Sequence, residues 1–207
     1  MNADHGSELV PRDASPTPAL PAEPPDRLDL AMDRYAEGDD AAFDELARGL
    51  TPRLRAFLLR LSGSRELAAD LTQETLLRIH RARGSFARGG AVVPWAYAIA
   101  RNCFISHARA KKTHLTRHSL DVTEVEIPAG LGANAEASLS ARQSAEIVSR
   151  TLSAMPIANR EAFVLIRYEG MSVSEAAQLV GVSDGALKLR AFRAYEMLRA
   201  ALKETAS

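Results

Sequence analysis

From about residue 27 onward, apolar residues recur at spacings of three and four, the period of helices that bury one face. That period predicts helices over residues 28–37 and 40–50, broken at Gly38. Thr51 followed by Pro52 is a start signal, an N-cap with proline at the first helical position, so a separate helix is expected over RLRAFLLRL. Gly63 closes that helix, and Ser64 caps the next, which runs to about residue 81. Pro94 and Trp95 open a longer helix that reaches about residue 112. Further helices are expected over residues 138–155, 158–168, 173–180 and from Asp184 onward.

The last two are joined by a tight turn. Ser172 and Glu175 have capping-box spacing, Gly181 supplies a left-handed residue, and Ser183 is a fresh N-cap. On the final helix Leu187, Ala191, Ala194, Tyr195, Leu198 and Leu202 share a packing side, with Ala186, Leu189, Phe192, Arg193 and Glu196 broadly opposite. Lys188, Arg190, Arg193 and Arg199 make this helix basic. It reads either as the recognition helix of a DNA-binding helix-turn-helix or as an ordinary hairpin with a solvated basic face.

Two earlier helices also carry more than a core face. On the helix starting at Arg65, Leu67, Leu71, Thr75 and Ile79 point one way, and Asp70, Gln73, Glu74, Leu77 and Arg81 another. A solvated stripe has no need of Leu77, so this side is either a protein-docking surface or a polar face with one exposed leucine. On the helix starting at Pro94, a broad apolar side of Trp95, Ile99, Ala100, Cys103 and Phe104 leaves Arg101, Asn102, Ile105, Arg109 and Lys112 as a second basic face.

Residues 1–25 hold six of the ten prolines and form no packed element; a disordered tail is expected. Residues 113–137, with Pro128, Gly130 and Gly132, have no period and read as a flexible linker. The expected fold is therefore all-α: two small helical domains, 26–112 and 138–204, joined by that linker.

Charge alters the picture only locally. Lys and Arg (26) balance Asp and Glu (26), so net basicity announces no nucleic acid. Yet residues 99–112 carry Arg101, Arg109, Lys111 and Lys112 with no carboxylate, whereas the linker is acidic, with Asp121, Glu124, Glu126 and Glu136. Two basic surfaces on two domains suggest one long ligand touched at two places. A single cysteine excludes an internal disulfide, and no run has membrane-spanning length or signal-peptide character, so a cytoplasmic protein is expected.

Cys103 and His107, and His114 and His118, have the four-residue spacing of zinc ligands. Cys103 lies on the apolar side of its helix and His114 and His118 fall where a loop is expected, so a buried thiol and solvated histidines are expected, with no metal and no cofactor. No arrangement of nucleophile, base and orienting group stands out, nor a phosphate loop, which argues against an enzyme.

DLTQETLLRIHRA at 70–82, VPWAYAIARNCFISHARAKK at 93–112 and the segment from Leu152 to Leu202 resemble, in that order and spacing, the bacterial RNA polymerase sigma factors of the extracytoplasmic-function group. The resemblance implies that Asp70, Gln73, Glu74, Leu77 and Arg81 bind polymerase core at the clamp coiled coil of its largest subunit. It implies that Arg101, Asn102, Ile105, Arg109 and Lys112 lie at the minus 10 promoter element, and that Lys188, Leu189, Arg190, Phe192 and Arg193 meet the minus 35 element. An anti-sigma factor, often membrane-anchored, is implied as a partner, and no small-molecule substrate. Ser106 departs from the family's usual aspartate, and GALKLR replaces GTVKSR, so Leu189 and Phe192 contact either thymine methyl groups or a protein. The alternative within this resemblance is a sigma mimic that captures an anti-sigma factor without binding promoter DNA.

Overall fold

In a computed structural model, which describes residues 26–117 and 139–204, the chain forms eight α-helices and one 3₁₀ turn among the described residues. The expectations for the tail and for linker residues 118–137 lie outside the described residues. In chain order the helices are α1 (Arg27–Ala36), α2 (Ala42–Ser62), α3 (Arg65–Ala82), α4 (Val92–Arg117), α5 (Leu139–Ala154), α6 (Ile157–Arg167), α7 (Val173–Val180) and α8 (Asp184–Glu204).

The first four make a bundle: α2 packs on α1, α3 and α4, and α3 on α4. Gly49 lies where α1 crosses α2, and a Cβ there would stand 2.4 Å from Cδ2 of Leu28, so that side chain would have to move. Asp29 of α1 accepts the Val92 backbone N–H at 2.8 Å, tying the start of α4 to α1. In the C-terminal half, α8 is gripped by α5, α6 and α7.

Two boundaries differ from expectation. The break at Thr51–Pro52 does not occur; α2 runs unbroken from Ala42 to Ser62 with Pro52 inside it. An internal proline costs about 3 kcal/mol through its missing N–H and its ring. Leu46, Leu50, Leu54, Phe57, Leu58 and Leu61 form one stripe on this helix, each at most 1% exposed. Their burial is worth on the order of 10 kcal/mol and overrides a local start signal. The second difference is at α4, which continues to Arg117, so residues 113–117, including His114, are helical where a loop was expected.

The capping chemistry matches the expectation. Ser64 Oγ accepts from the Leu67 N–H at 3.2 Å. Ser172 Oγ accepts from the Glu175 N–H at 3.2 Å, while the Ser172 N–H donates to the Glu175 carboxylate at 2.8 Å. Gly181 ends α7 at φ 76°, in the left-handed region that disfavours other residues.

The two halves do not sit apart. α2 packs against α5 and α6, and α4 against α7. One continuous apolar core reaches from Leu28 in α1 to Leu187 and Ala191 in α8, and a smaller cluster joins Leu152, Met155, Phe163, Ala194 and Leu198. Arg160 is a polar pin in this junction. Its guanidinium donates to the carbonyl of Leu61 near the end of α2 and to those of Ser153 (2.6 Å) and Met155 (3.1 Å) at the end of α5. Two helix C-termini, each with unsatisfied carbonyls and a partial negative charge, thus share one cation.

Candidate nucleic-acid interface

On α3 the separation of faces is sharp. Leu71, Thr75 and Ile79 are buried, Leu67 partly so, and Asp70, Gln73, Leu77 and Arg81 are exposed. Leu77 is 48% exposed. Glu74 pairs with Arg78 one turn on, at 2.6 Å, a contact within the helix that leaves both side chains over 40% exposed. The stripe is thus a continuous solvent-facing surface with one apolar residue in it.

On α8 the burial of Leu187, Ala191, Ala194 and Leu198 turns the opposite side outward. Lys188, Leu189, Phe192 and Arg193 are exposed, with Leu189 at 50% and Phe192 at 61%, and Arg190 is half-buried. Ser183 Oγ accepts from the Ala186 N–H at 3.3 Å, fixing the entry of the helix, so its basic N-terminal half projects beyond the turn. Such an arrangement of cations with flat apolar groups suits a phosphate-lined groove floored by bases.

Tyr195 and Leu202 were expected to pack and are 47% and 37% exposed, though the Tyr195 ring meets buried Phe163 edge-on at 5.1 Å. With Val148, Phe163, Leu198 and Tyr168 they line an open groove of about 1030 Å³ between α5, α6 and α8, rimmed by Arg167, Lys203 and the pair of Arg199 with Glu196 at 3.9 Å. Helical periodicity assigned these residues to the inner side; nothing in the described chain covers that end of it.

On α4 the expected basic face is divided. Asn102 and Arg109 are exposed, Ile105 is partly buried against the core, and the Lys112 side chain lies outside the described residues. Arg101 is not presented: its side chain is 19% exposed and is held by Glu161 of α6, whose side chain is 3% exposed. Both guanidinium Nε and Nη2 donate to the carboxylate, the latter at 3.3 Å. Burial pushes the Glu161 carboxyl above its usual range, and Arg101 and then Arg190 pull it back.

Glu169, just after α6, makes a second junction. It accepts from Arg60 Nη1 at 3.2 Å and from the Tyr97 hydroxyl, and Arg60 lies over the Tyr168 ring at 4.3 Å. Burial raises both Glu169 and Tyr97. Cys103 is buried, its sulfur 3.7 Å from the Thr75 hydroxyl, and burial raises its thiol. His107 is exposed, and no group of three metal-ligating side chains occurs among the described residues.

The residues that sequence reasoning missed are Arg60, Arg160, Glu161 and Glu169. The available signal was the adjacent Arg160 and Glu161 in ANREAFVLIR, two charges directly before the apolar run AFVLI. Arg101, the partner of Glu161, and Leu61, one of the partners of Arg160, are 60 and 99 residues away along the chain, which no local pattern encodes.

Comparison with known proteins accounts for both halves. Residues 46–114 match the family model of sigma-70 region 2, and residues 145–198 that of sigma-70 region 4. The RNA polymerase sigma factor CarQ of Myxococcus xanthus is 34% identical over 176 residues, covering 84% of this chain and 96% of that protein. The ECF RNA polymerase sigma factor SigF of Caulobacter vibrioides is 33% identical over 173 residues, covering 83% and 92%. Among solved structures, the sigma factor RpoE of Bartonella quintana, crystallised in complex with the anti-sigma factor NepR, superposes with a TM-score of 0.67 at 28% identity, over 78% of this chain and 96% of that one. The two regions occur here in their family order on helices that leave the polar stripe of α3 and the basic side of α8 exposed, and the chain belongs to the extracytoplasmic-function family of RNA polymerase sigma factors.

Proposed function

We propose that this sigma factor binds polymerase core through Asp70, Gln73, Glu74, Leu77 and Arg81, and brings two DNA-contacting surfaces to a promoter. The observation that carries the first part is the exposed stripe of α3, where Leu77 stands in solvent while its helical neighbours Leu71, Thr75 and Ile79 are buried. An apolar residue held outward among polar ones is the composition of a docking face with a hydrophobic centre. Arg101, Asn102, Ile105, Arg109 and Lys112 serve the minus 10 element, and Lys188, Leu189, Arg190, Phe192 and Arg193 the minus 35 element. Leu189 and Phe192, both at least half exposed beside those cations, are suited to thymine methyl groups. Domain limits of 26–112 and 138–204 accompany this division of labour.

The factor performs no chemistry of its own; the polymerase does. Two salt-sensitive DNA contacts become selective when core fixes their separation. The factor works in the cytoplasm, in keeping with the absence, among the described residues, of any helix long and apolar enough to cross a membrane. An anti-sigma factor restrains it. The groove between α5, α6 and α8, apolar within and rimmed by Arg167, Lys203 and an Arg199–Glu196 pair, suits an amphipathic helix.

A pull-down with purified core polymerase tests this reading. Retention of the full chain by core, without any other protein present, is expected. Failure to bind core would instead favour a sigma mimic that captures an anti-sigma factor.

A further inference from the structure

The groove between α5, α6 and α8 is built as an aromatic slot. Phe163 is buried, and Tyr168 and Tyr195 meet it edge-on from two sides at 5.8 and 5.1 Å, each ring at 77° to its own. Arg60 of α2 lies over the Tyr168 ring at 4.3 Å and so holds it in place. The Tyr168 and Tyr195 hydroxyls and the Arg167 guanidinium bring hydrogen-bond donors to the lining. One segment of this chain outside the described residues has the complementary chemistry. Residues 13–25, DASPTPALPAEPP, hold five prolines, which offer carbonyl acceptors and no N–H. They also carry Asp13 and Glu23 with no Lys or Arg. In a polyproline II helix, with three residues per turn, Pro18, Pro21 and Pro24 fall on one ridge with Leu20 beside it. Aromatic-lined grooves take such ridges because the helix is preformed and little entropy is lost on docking.

We propose that residues 13–25 dock as a polyproline II segment in this groove of their own chain, with Pro18 and Pro21 packed between Tyr168 and Tyr195. Reach permits it. Leu28 of α1 lies against Gly49 of α2, and Arg60, which carries the contact with Tyr168, is about 16 Å further along α2 at 1.5 Å per residue. From Asp26 back to Pro21 and Pro18 a polyproline II chain spans about 16 to 25 Å at 3.1 Å per residue. Charge agrees as well, since Arg167, Arg199 and Lys203 against Glu196 alone give the lining a positive sum to meet Asp13 and Glu23. The proposal goes beyond the reading of this groove given above and does not depend on it. A ligand tethered to its site acts at an effective concentration of about millimolar, so the segment covers an apolar patch of the free chain, and any helix that uses the groove must displace it.

The test uses the full chain, with a nitroxide attached at Ser15→Cys, close to the proline ridge. Cys103 is 1% exposed and is spared by the label. Amide NMR signals of residues 163–168 and 195–202 are expected to broaden, and those of residues 73–81 on α3 to stay sharp. The broadening is expected to disappear in a Pro18→Gly, Pro21→Gly chain, whose substitutions keep every charge and lie outside the helices. A peptide of residues 13–25 added in trans is expected to bind that double variant about tenfold more tightly than the wild type, whose own segment already occupies the groove. Adding Tyr195→Ala to the double variant should abolish that peptide binding. Absence of broadening in the groove overturns the proposal, as does broadening spread evenly over the chain or centred on the outer face of α8 at Leu189 and Phe192. Equal peptide affinity for wild type and double variant also overturns it. Broadening of an isotope-labelled chain by nitroxide carried on a second, unlabelled chain would assign the contact to another copy and refute docking within one chain.

Discussion

Leu71 and Leu77 lie on the same helix, and the account gives them opposite jobs. Leu71 is 2% exposed in the core and Leu77 is 48% exposed on the proposed polymerase-binding stripe. Truncating a buried leucine to alanine removes its transfer energy and leaves a cavity, about 2–5 kcal/mol in all. Leu71→Ala is therefore expected to shift the urea unfolding midpoint severely. Leu77→Ala removes a side chain already half in water, and alanine is the better helix former, so folding stability should change by less than about 1 kcal/mol. The exposed half of Leu77 is what remains to be buried by a partner. Half of a leucine's burial energy is about 1–1.5 kcal/mol, close to a tenfold change in Kd. Circular dichroism in urea measures the first quantity, and fluorescence anisotropy of labelled chain titrated with purified core measures the second. The expected pattern is loss of stability in Leu71→Ala and loss of core affinity at wild-type stability in Leu77→Ala. Unchanged core affinity in Leu77→Ala would refute the docking assignment, and equal destabilisation by both would refute the division of the helix into inner and outer faces.

Three other outcomes follow from the same geometry. Arg193→Ala should weaken promoter-dependent transcription by about 1–3 kcal/mol if it meets a base edge, or flatten the salt slope by about one if it meets phosphate, with core affinity intact; loss of core affinity as well would mean misfolding. Pro52→Ala should restore a hydrogen bond inside α2 and raise stability by about 1–3 kcal/mol in urea melts, and a destabilised variant would mean that the proline shapes the helix rather than burdening it. Burial raises Glu161 and Glu169 above their ordinary value of 4.5, with Arg101 and Arg190 opposing the first shift and Tyr97, Arg60 and Arg53 the second. A carboxyl raised in the folded state contributes stability that is complete below its unfolded value and lost as pH rises through its folded one, so both should favour the compact form as pH falls from neutral toward 4.5. Urea melts across that window should show the effect in the wild type and lose it in a Glu161→Gln, Glu169→Gln double variant; an unchanged pH profile in that variant would show that other groups carry it.

Features whose chemistry is local were legible in the sequence. Ser172 with Glu175, Gly181 and Ser64 each act within four residues, so reading the neighbours along the chain amounted to reading the site. The stripe from Asp70 to Arg81 was legible because helical period alone separates it from Leu71 and Ile79. Thr51 with Pro52 misled because their start signal is a local preference, and six buried side chains on either side of Pro52 outweigh it. Tyr195 and Leu202 show a different limit: period gives the side of a helix but not how far a neighbour covers it, so Tyr195 meets Phe163 with one edge and stays half exposed, and Leu202 lines an open groove. The Arg101–Glu161 pair was out of reach, since it depends on how two distant helices meet.

The most direct test of the central claim is run-off transcription with purified core polymerase, the full chain and a set of genomic promoter fragments. The account predicts discrete transcripts from a subset of fragments only when the chain is present, and their loss when Leu77 or Arg193 is replaced by alanine. A chain that binds core yet yields no transcript above core alone from any fragment would contradict it.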